Sequence, residues 1–352
     1  MSERRLVILA EGSLEFHHGK TAISLLRYRP EEVVAVVDST NAGKTTNEVL
    51  GIGGDIPILD SVGASLRLRP TAVVIGIAPR GGGLPGAWRP AIAQALGAGV
   101  DVISGLHYML SDDSAFRRDA AASGARLVDV RRAPDGLHVA EMAPRRPGSR
   151  VVTFVGSDCA VGKMTAALEI HAAAEAMGLS SAFVATGQTG IMLEGSGISV
   201  DQVIGDFMAG AVEQMVVDAA SRADLVFVEG QGSLLHPAYS GVTLSLLHGS
   251  QPDAMILVTQ PSRAFISGYP VRIPPLPELI RLYEQAAGWV KPARVVGIAV
   301  NTRDLNADET DRVTAEARAL TGLPVTDPVK QGGEELVRAV LDSLSSLSER
   351  RT

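Results

Sequence analysis

The stretch Val151–Thr165 reads VVTFVGSDCAVGKMT. A run of mostly β-branched residues leads into a turn bounded by Gly156 and Gly162, and Lys163 opens an Ala-rich helical pattern. This strand–loop–helix order is what a phosphate-binding loop requires. Loop amides point at an anion, the helix N-terminus adds partial positive charge, and the lysine supplies a mobile point charge. Two features depart from the usual pattern. Five residues, Ser157 to Val161, separate the glycines, where the common motif has four. Met164 stands where a Ser or Thr hydroxyl would meet Mg²⁺, and Thr165 comes one step late. A ligand-free glycine turn would not need strand, both glycines, lysine and helix together. Gly156, Ser157, Asp158, Ala160, Val161, Gly162, Lys163, Met164 and Thr165 are therefore the candidate anion-binding set.

The chain has 352 residues, enough for about two domains with full cores. Hydrophobic residues make up 46%, which indicates a globular chain rather than a disordered one. A net charge of −7 and a pI near 5.6 argue against a general nucleic-acid or anionic-membrane surface. Cys159 is the one cysteine, so no intrachain disulfide forms, which fits a reducing cytoplasm. LVILA after Arg4 and Arg5 is too short for a signal-peptide core and reads as a first strand. No apolar run approaches the ~18 residues of a membrane span. A cytoplasmic homo-oligomer without nucleic-acid or membrane partners is expected.

Strands alternate with helical patterns along the whole chain. In the first half, strands are expected over 4–10, 33–37, 56–59, 72–77, 100–103 and 126–130, with helices over 20–27, 87–96 and 111–122. In the second, strands are expected at 151–155, 182–185, 225–228, 254–258, 295–300 and 324–326. Helices are expected over 163–177, 206–221, 278–287, 309–320 and 334–347. Two doubly wound parallel sheets follow, α/β in class. The first is a Rossmann-like domain over 1–140 and the second a P-loop NTPase-like domain over 148–352. Between them, Ala133–Arg150 loses periodicity and gains Pro, Gly and Arg.

Ligands of such sheets bind outside the strands' C-terminal ends. In the first half Asp38 ends a strand, where a Rossmann domain would read a ribose hydroxyl, but no G-x-G-x-x-G precedes it. Arg80 lies in a glycine-rich turn and is a candidate anion contact. His17, His18 and His107 lack metal-site spacing and read as loop residues. In the second half Glu229 follows the buried LVFV strand, placed to hold Mg²⁺ or act as a base. His236, seven residues on, is a candidate proton acceptor. Asn301 and Asp304 follow another strand end and could meet a purine base or cap a helix. Cys159 lies near a helix N-terminus but has no base within its own motif, so a packing role is expected. No metal site is expected.

The loop GSDCAVGK and the strand end VEGQG resemble the dethiobiotin synthetase branch of P-loop proteins, which also has five residues between its loop glycines. The full chain is identified as a member of the DUF1611 family. The supporting residues are DSTNAGKT at 38–45, GLHYMLSDD at 105–113, GSDCAVGKMT at 156–165, VEGQGSLLHPAYSG at 228–241 and GIAVNTR at 297–303. The resemblance implies an acetyl-CoA-dependent N-acetyltransferase acting on a small acidic amino acid, D-glutamate, in amino-acid catabolism. The loop would anchor the CoA diphosphate, with Glu229 or His236 taking a proton from the amine and Arg80 or Arg263 binding carboxylate. The alternative is a Mg-ATP-dependent ligase or kinase acting on an amino acid or carboxylate. Met164 bears on the choice: coenzyme A presents a diphosphate without a metal, and Mg-ATP does not.

Overall fold

Among the described residues, every pairing between strands is parallel, in two separate six-stranded sheets. The computed structural model describes residues 4–15, 19–77 and 82–349. Contacts divide the chain into one unit of Met1–Arg132 with Ile191–Ser199 and a second of Ala133–Gly190 with Val200–Thr352.

The first unit holds β1 (Leu6–Leu9), β2 (Val33–Val37), β3 (Ile58–Leu59), β4 (Ala72–Ile75), β5 (Asp101–Ser104) and β6 (Leu127–Asp129). Their order is β3-β2-β1-β4-β5-β6, the doubly wound order in which the crevice opens where winding reverses beside β1. Apolar runs such as LVIL and AVVI are wholly buried because helices cover both faces of a parallel sheet. The anchors on one face include Trp88, Ile92, Leu96 and Phe116. Asp38, at the end of β2, is buried and already bonded. It accepts from the Gly12 and Thr40 amides at 3.0 and 3.3 Å and from Asn41 Nδ2 at 2.7 Å. Its carboxylate ties the loop after β1 to the one after β2, which replaces the ribose-reading role. Arg80, His17 and His18 lie outside the described residues.

The second unit holds β7 (Arg150–Gly156), β8 (Ser181–Val184), β9 (Leu225–Val228), β10 (Ala254–Thr259), β11 (Arg294–Val300) and β12 (Val325–Thr326). Their order is β12-β11-β10-β7-β9-β8, so the chain winds to one side of β7 and then to the other. The loop after β7 therefore sits at the switch point. Helix Ser240–Ser250 has no counterpart in the sequence reading. Its residues Val242, Leu246, Leu247 and Gly249 are buried along with polar Thr243 and Ser250, so it shows little amphipathic periodicity. The stretch before β7 is not a free linker. Glu141 donates its amide to Glu213 at 2.8 Å, and Arg146 bonds the carbonyls of Ala220 and Ala223 at 3.0 and 2.7 Å.

Candidate functional site: a phosphate loop braced from three sides

β7 delivers Gly156 to the centre of the second sheet, and helix Lys163–Ala176 leaves from the far end of the loop. Gly162 caps that helix at φ 104°, a left-handed conformation, and no side chain caps the helix amides. Ala160 is also left-handed, at φ 52°. Among the described residues, the amides of Ala160, Val161 and Gly162 make no hydrogen bond. The Ser157 hydroxyl, fully buried, likewise has no partner. Unspent donors at an uncapped helix start form an anion cradle. Lys163 is 6% exposed and folds back over Gly156, its Nζ donating to the carbonyls of Asp158 and Gly232, both at 2.7 Å.

The braces come from two strand ends and a helix. After β11, Asn301 donates Nδ2 to the Val161 carbonyl at 3.0 Å and accepts the Arg303 amide at 3.3 Å. These two bonds to backbone make Asn301 a brace that shapes the loop. After β10, Arg263 reaches the Asp158 carboxylate at 2.9 Å, the Cys159 carbonyl at 2.6 Å and Gln260 at 3.0 Å. It is thus committed to the loop instead of offering a free fork to a substrate carboxylate. Asp304 accepts from Ser262 Oγ at 2.5 Å and Gln260 Nε2 at 3.4 Å, and these bonds, Ser262 foremost, hold its carboxyl below the usual range. From helix Leu276–Gly288, Tyr283 is wholly buried, donates to the Gly156 carbonyl at 2.7 Å and accepts the Leu234 amide at 3.2 Å. One phenol joins the phosphate loop to the segment carrying His236.

Glu229 follows β9, whose register pairs Val228 with Val184 of β8. Its Oε2 accepts the amides of Thr186 and Gly187 at 3.0 and 3.1 Å, and its backbone carbonyl accepts the Thr186 hydroxyl at 2.9 Å. The carboxylate is 5% exposed and organises the turn after β8. Gly230 follows because a Cβ there would meet the Phe154 carbonyl at 1.6 Å. Met164 is buried, so its thioether packs in the core and leaves no side-chain oxygen at that place in the loop.

His236, 3% exposed, lies beneath Tyr239 and Tyr269, with ring centroids 4.5 and 5.1 Å away. Its Nδ1 accepts the Ala238 amide at 3.2 Å. A ring nitrogen of His236, Cys159 Sγ and an Asp158 oxygen lie within 4.8 Å of one another. Asp158 and His236 lie 78 positions apart, so spacing within either motif gave no sign of the cluster. The donor set does not suit a cation: Asp158 is already paired with Arg263, and Nδ1 accepts a proton where a metal-bound imidazole would donate one.

Fold and site define a two-unit α/β protein with a Rossmann-like sheet and a P-loop sheet. Residues 39–133 match the family domain described as DUF1611_N, Rossmann-like, and residues 138–337 match the one described as DUF1611_C, P-loop. The chain belongs to the DUF1611 family. It is 39% identical over 327 residues to a D-glutamate N-acetyltransferase of Tritonibacter scottomollicae, covering 91% of this chain and 93% of that one. It is 35% identical over 279 residues to a protein of the same name from a Pseudoalteromonas species, covering 79% and 83%. A crystal structure of a DUF1611 family protein from Anabaena variabilis superposes with a TM-score of 0.90 at 44% identity, covering 96% of this chain and 99% of that one. No helix among the described residues is long and apolar enough to cross a membrane.

Proposed function

We propose that the chain is an N-acyltransferase that transfers the acetyl group of acetyl-CoA to the amine of D-glutamate, in amino-acid catabolism. The observation that carries this reading is the 39% identity, across nine-tenths of the chain, to a relative bearing that name. The loop fits it chemically. The amides of Ala160, Val161 and Gly162, the Ser157 hydroxyl and Lys163 would hold a diphosphate, and buried Met164 supplies no hydroxyl for Mg²⁺. When bound, the thioester supplies an activated acyl group, and the substrate must present a neutral amine to it.

The length of the cofactor bears on the assignment of roles. About thirteen bonds separate the CoA diphosphate from its thioester, an extended reach of about 15 Å. His236 lies within 4.8 Å of the loop's own Cys159, so with the diphosphate in the loop it serves the phosphate end. Glu229, bonded to two amides, holds the adjoining turn. On this reading His236 supports cofactor binding, Glu229 shapes the turn after β8, and another group takes the ammonium proton.

The direct test is purified protein with acetyl-CoA and D-glutamate, read by thiol release. No release across a panel of acidic D- and L-amino acids would overturn the proposal. Thermal stabilisation separates it from the Mg-ATP ligase reading. A ligand at a hundred times its Kd adds about 2.7 kcal/mol, so stabilisation by CoA and not by Mg-ATP is expected.

A further inference from the structure

We propose that Tyr239 and Tyr269 form the wall along which the pantetheine arm of coenzyme A leaves the phosphate loop. The inference rests on the reading of the loop as a cradle for the diphosphate of coenzyme A. It does not rest on acetyl transfer or on which amine is acetylated. The two ends of the cradle differ. In loops of this kind the backbone amides hold the phosphates nearer the nucleoside, and the lysine reaches the distal ones. Here Lys163 Nζ lies on the carbonyls of Asp158 and Gly232, both at 2.7 Å, so those residues mark the distal end. Gly232 opens the segment that carries His236 and Tyr239. An Asp158 oxygen, Cys159 Sγ and a His236 ring nitrogen lie within 4.8 Å of one another, which puts His236 at the same end. In coenzyme A the distal phosphate carries the pantetheine arm, and in a nucleoside triphosphate it carries a further phosphate.

Two aromatic rings stand at that distal end. Tyr239 packs on His236 with 4.5 Å between centroids and 32° between planes, and Tyr269 meets the same imidazole edge-on at 5.1 Å and 77°. His236 is 3% exposed, but the tyrosines are 52% and 39% exposed. Each ring is thus backed by a buried imidazole and open on its outer side. Tyr269 is carried on a hairpin, in which Ile266 donates its amide to Val271 at 2.8 Å and Ile273 to Ala264 at 3.0 Å. The hairpin is fixed to the phosphate loop, since the Ser267 amide donates to the Asp158 carboxylate at 2.8 Å. The rings are therefore placed relative to the cradle before a ligand arrives, which lowers the ordering cost of binding. Exposed aromatic surface gathered at one place, unlike scattered apolar residues, marks a binding surface.

The lengths agree. The ring separations together with the 4.8 Å cluster put the tyrosines about 10 Å from Cys159. The arm extends about 15 Å from the diphosphate to the thioester, so the rings stand beside its methylenes and amides and the thioester clears them. Methylenes pack on ring faces, and a phenol hydroxyl suits an amide, so a tyrosine pair matches both parts of the arm. A third phosphate in the same place would instead meet the negative faces of the two rings. The wall thus selects coenzyme A against a nucleoside triphosphate.

The test is calorimetric titration of the full chain with coenzyme A and with adenosine 3′-phosphate 5′-diphosphate, the same molecule without its arm. The unaltered chain should bind coenzyme A at least about tenfold more tightly than the armless nucleotide. Replacing both rings, Tyr239→Ala with Tyr269→Ala, should remove that advantage and leave the Kd for the nucleotide within about twofold. The retained nucleotide affinity also reports an intact cradle. Tyr239→Phe with Tyr269→Phe, which keeps the ring faces, should keep most of the advantage. An unaltered chain with no preference for coenzyme A overturns the proposal without any variant. So does a double alanine variant that keeps the preference, or one that is folded and weakens both ligands equally. Acetyl transfer is read separately: a chain with the expected affinities that releases no thiol from acetyl-CoA keeps this proposal and loses the acetyltransferase reading.

Discussion

The Arg263 guanidinium donates to the Asp158 carboxylate at 2.9 Å and to the Cys159 carbonyl at 2.6 Å, so one side chain after β10 fixes two consecutive residues of the loop after β7. Asp158 is fully buried, and its partner's removal leaves a charge held only by the Ser267 and Cys159 amides. Arg263→Ala should therefore destabilise the second unit by about 3 kcal/mol, the range for breaking a buried pair. Asp158→Asn in the same background should recover part of that loss. Urea denaturation of the single and double variants measures both.

Lys163 and Met164 separate binding from metal use. Lys163→Ala removes the ammonium from the cradle and should abolish stabilisation by whichever phosphate ligand the loop takes. Met164→Thr restores the hydroxyl that a Mg²⁺-dependent loop would carry. With CoA as ligand, the substitution should leave affinity within about twofold whether or not Mg²⁺ is added, since it alters no group that the diphosphate needs. A magnesium-dependent gain in ATP affinity for the variant alone would show how close the site stands to an NTPase loop. Calorimetric titration at two magnesium concentrations reads the difference.

What the sequence made legible here was local. The run from Val151 to Thr165 carries its own strand, turn and helix start, and strands such as Val33–Val37 and Leu225–Val228 match the observed limits because buried parallel strands are continuous apolar runs. Roles set by distant partners were not legible. Asn301 reads as a purine contact or a helix cap, and the sequence gives no sign that its amide reaches Val161, 140 positions earlier. Arg263 reads as a substrate fork until its guanidinium is found on Asp158. Tyr283 carries no motif at all, since an aromatic residue on an amphipathic helix is expected in a core. Its function comes from where a single oxygen ends up.

His236 and Glu229 give a kinetic split. On the proposed reading, with the diphosphate in the loop, both stand away from the reacting amine. His236→Gln should raise KM for acetyl-CoA by about tenfold with kcat changed less than about threefold, the pattern of lost uniform binding. Glu229→Gln keeps an acceptor for the Thr186 and Gly187 amides but loses the charge, and should shift KM in the same direction. A loss confined to kcat, with KM intact, would return either residue to the role of base. Steady-state rates over a series of acetyl-CoA concentrations make the distinction.

Tyr283 links fold stability to alkaline pH. Its phenol is wholly buried, which pushes its pKa above the usual value of 10.0, while hydrogen bonds to the 233–234 segment and Gly156 pull the other way. A raised pKa means that the folded chain holds the proton where the unfolded chain releases it. The stabilisation is fully present below pH 10 and is lost as pH climbs through the folded value. Tyr283→Phe should remove that alkaline slope. At neutral pH it should also cost about 1–3 kcal/mol, because the Gly156 carbonyl and the Leu234 amide lose the oxygen that satisfies them in the core. Since the same oxygen joins the phosphate loop to the His236 segment, the variant should bind the phosphate ligand more weakly even where it remains folded. Denaturation midpoints between neutral pH and about pH 11, compared for the two proteins, test the slope, and titration with the phosphate ligand at neutral pH tests the coupling.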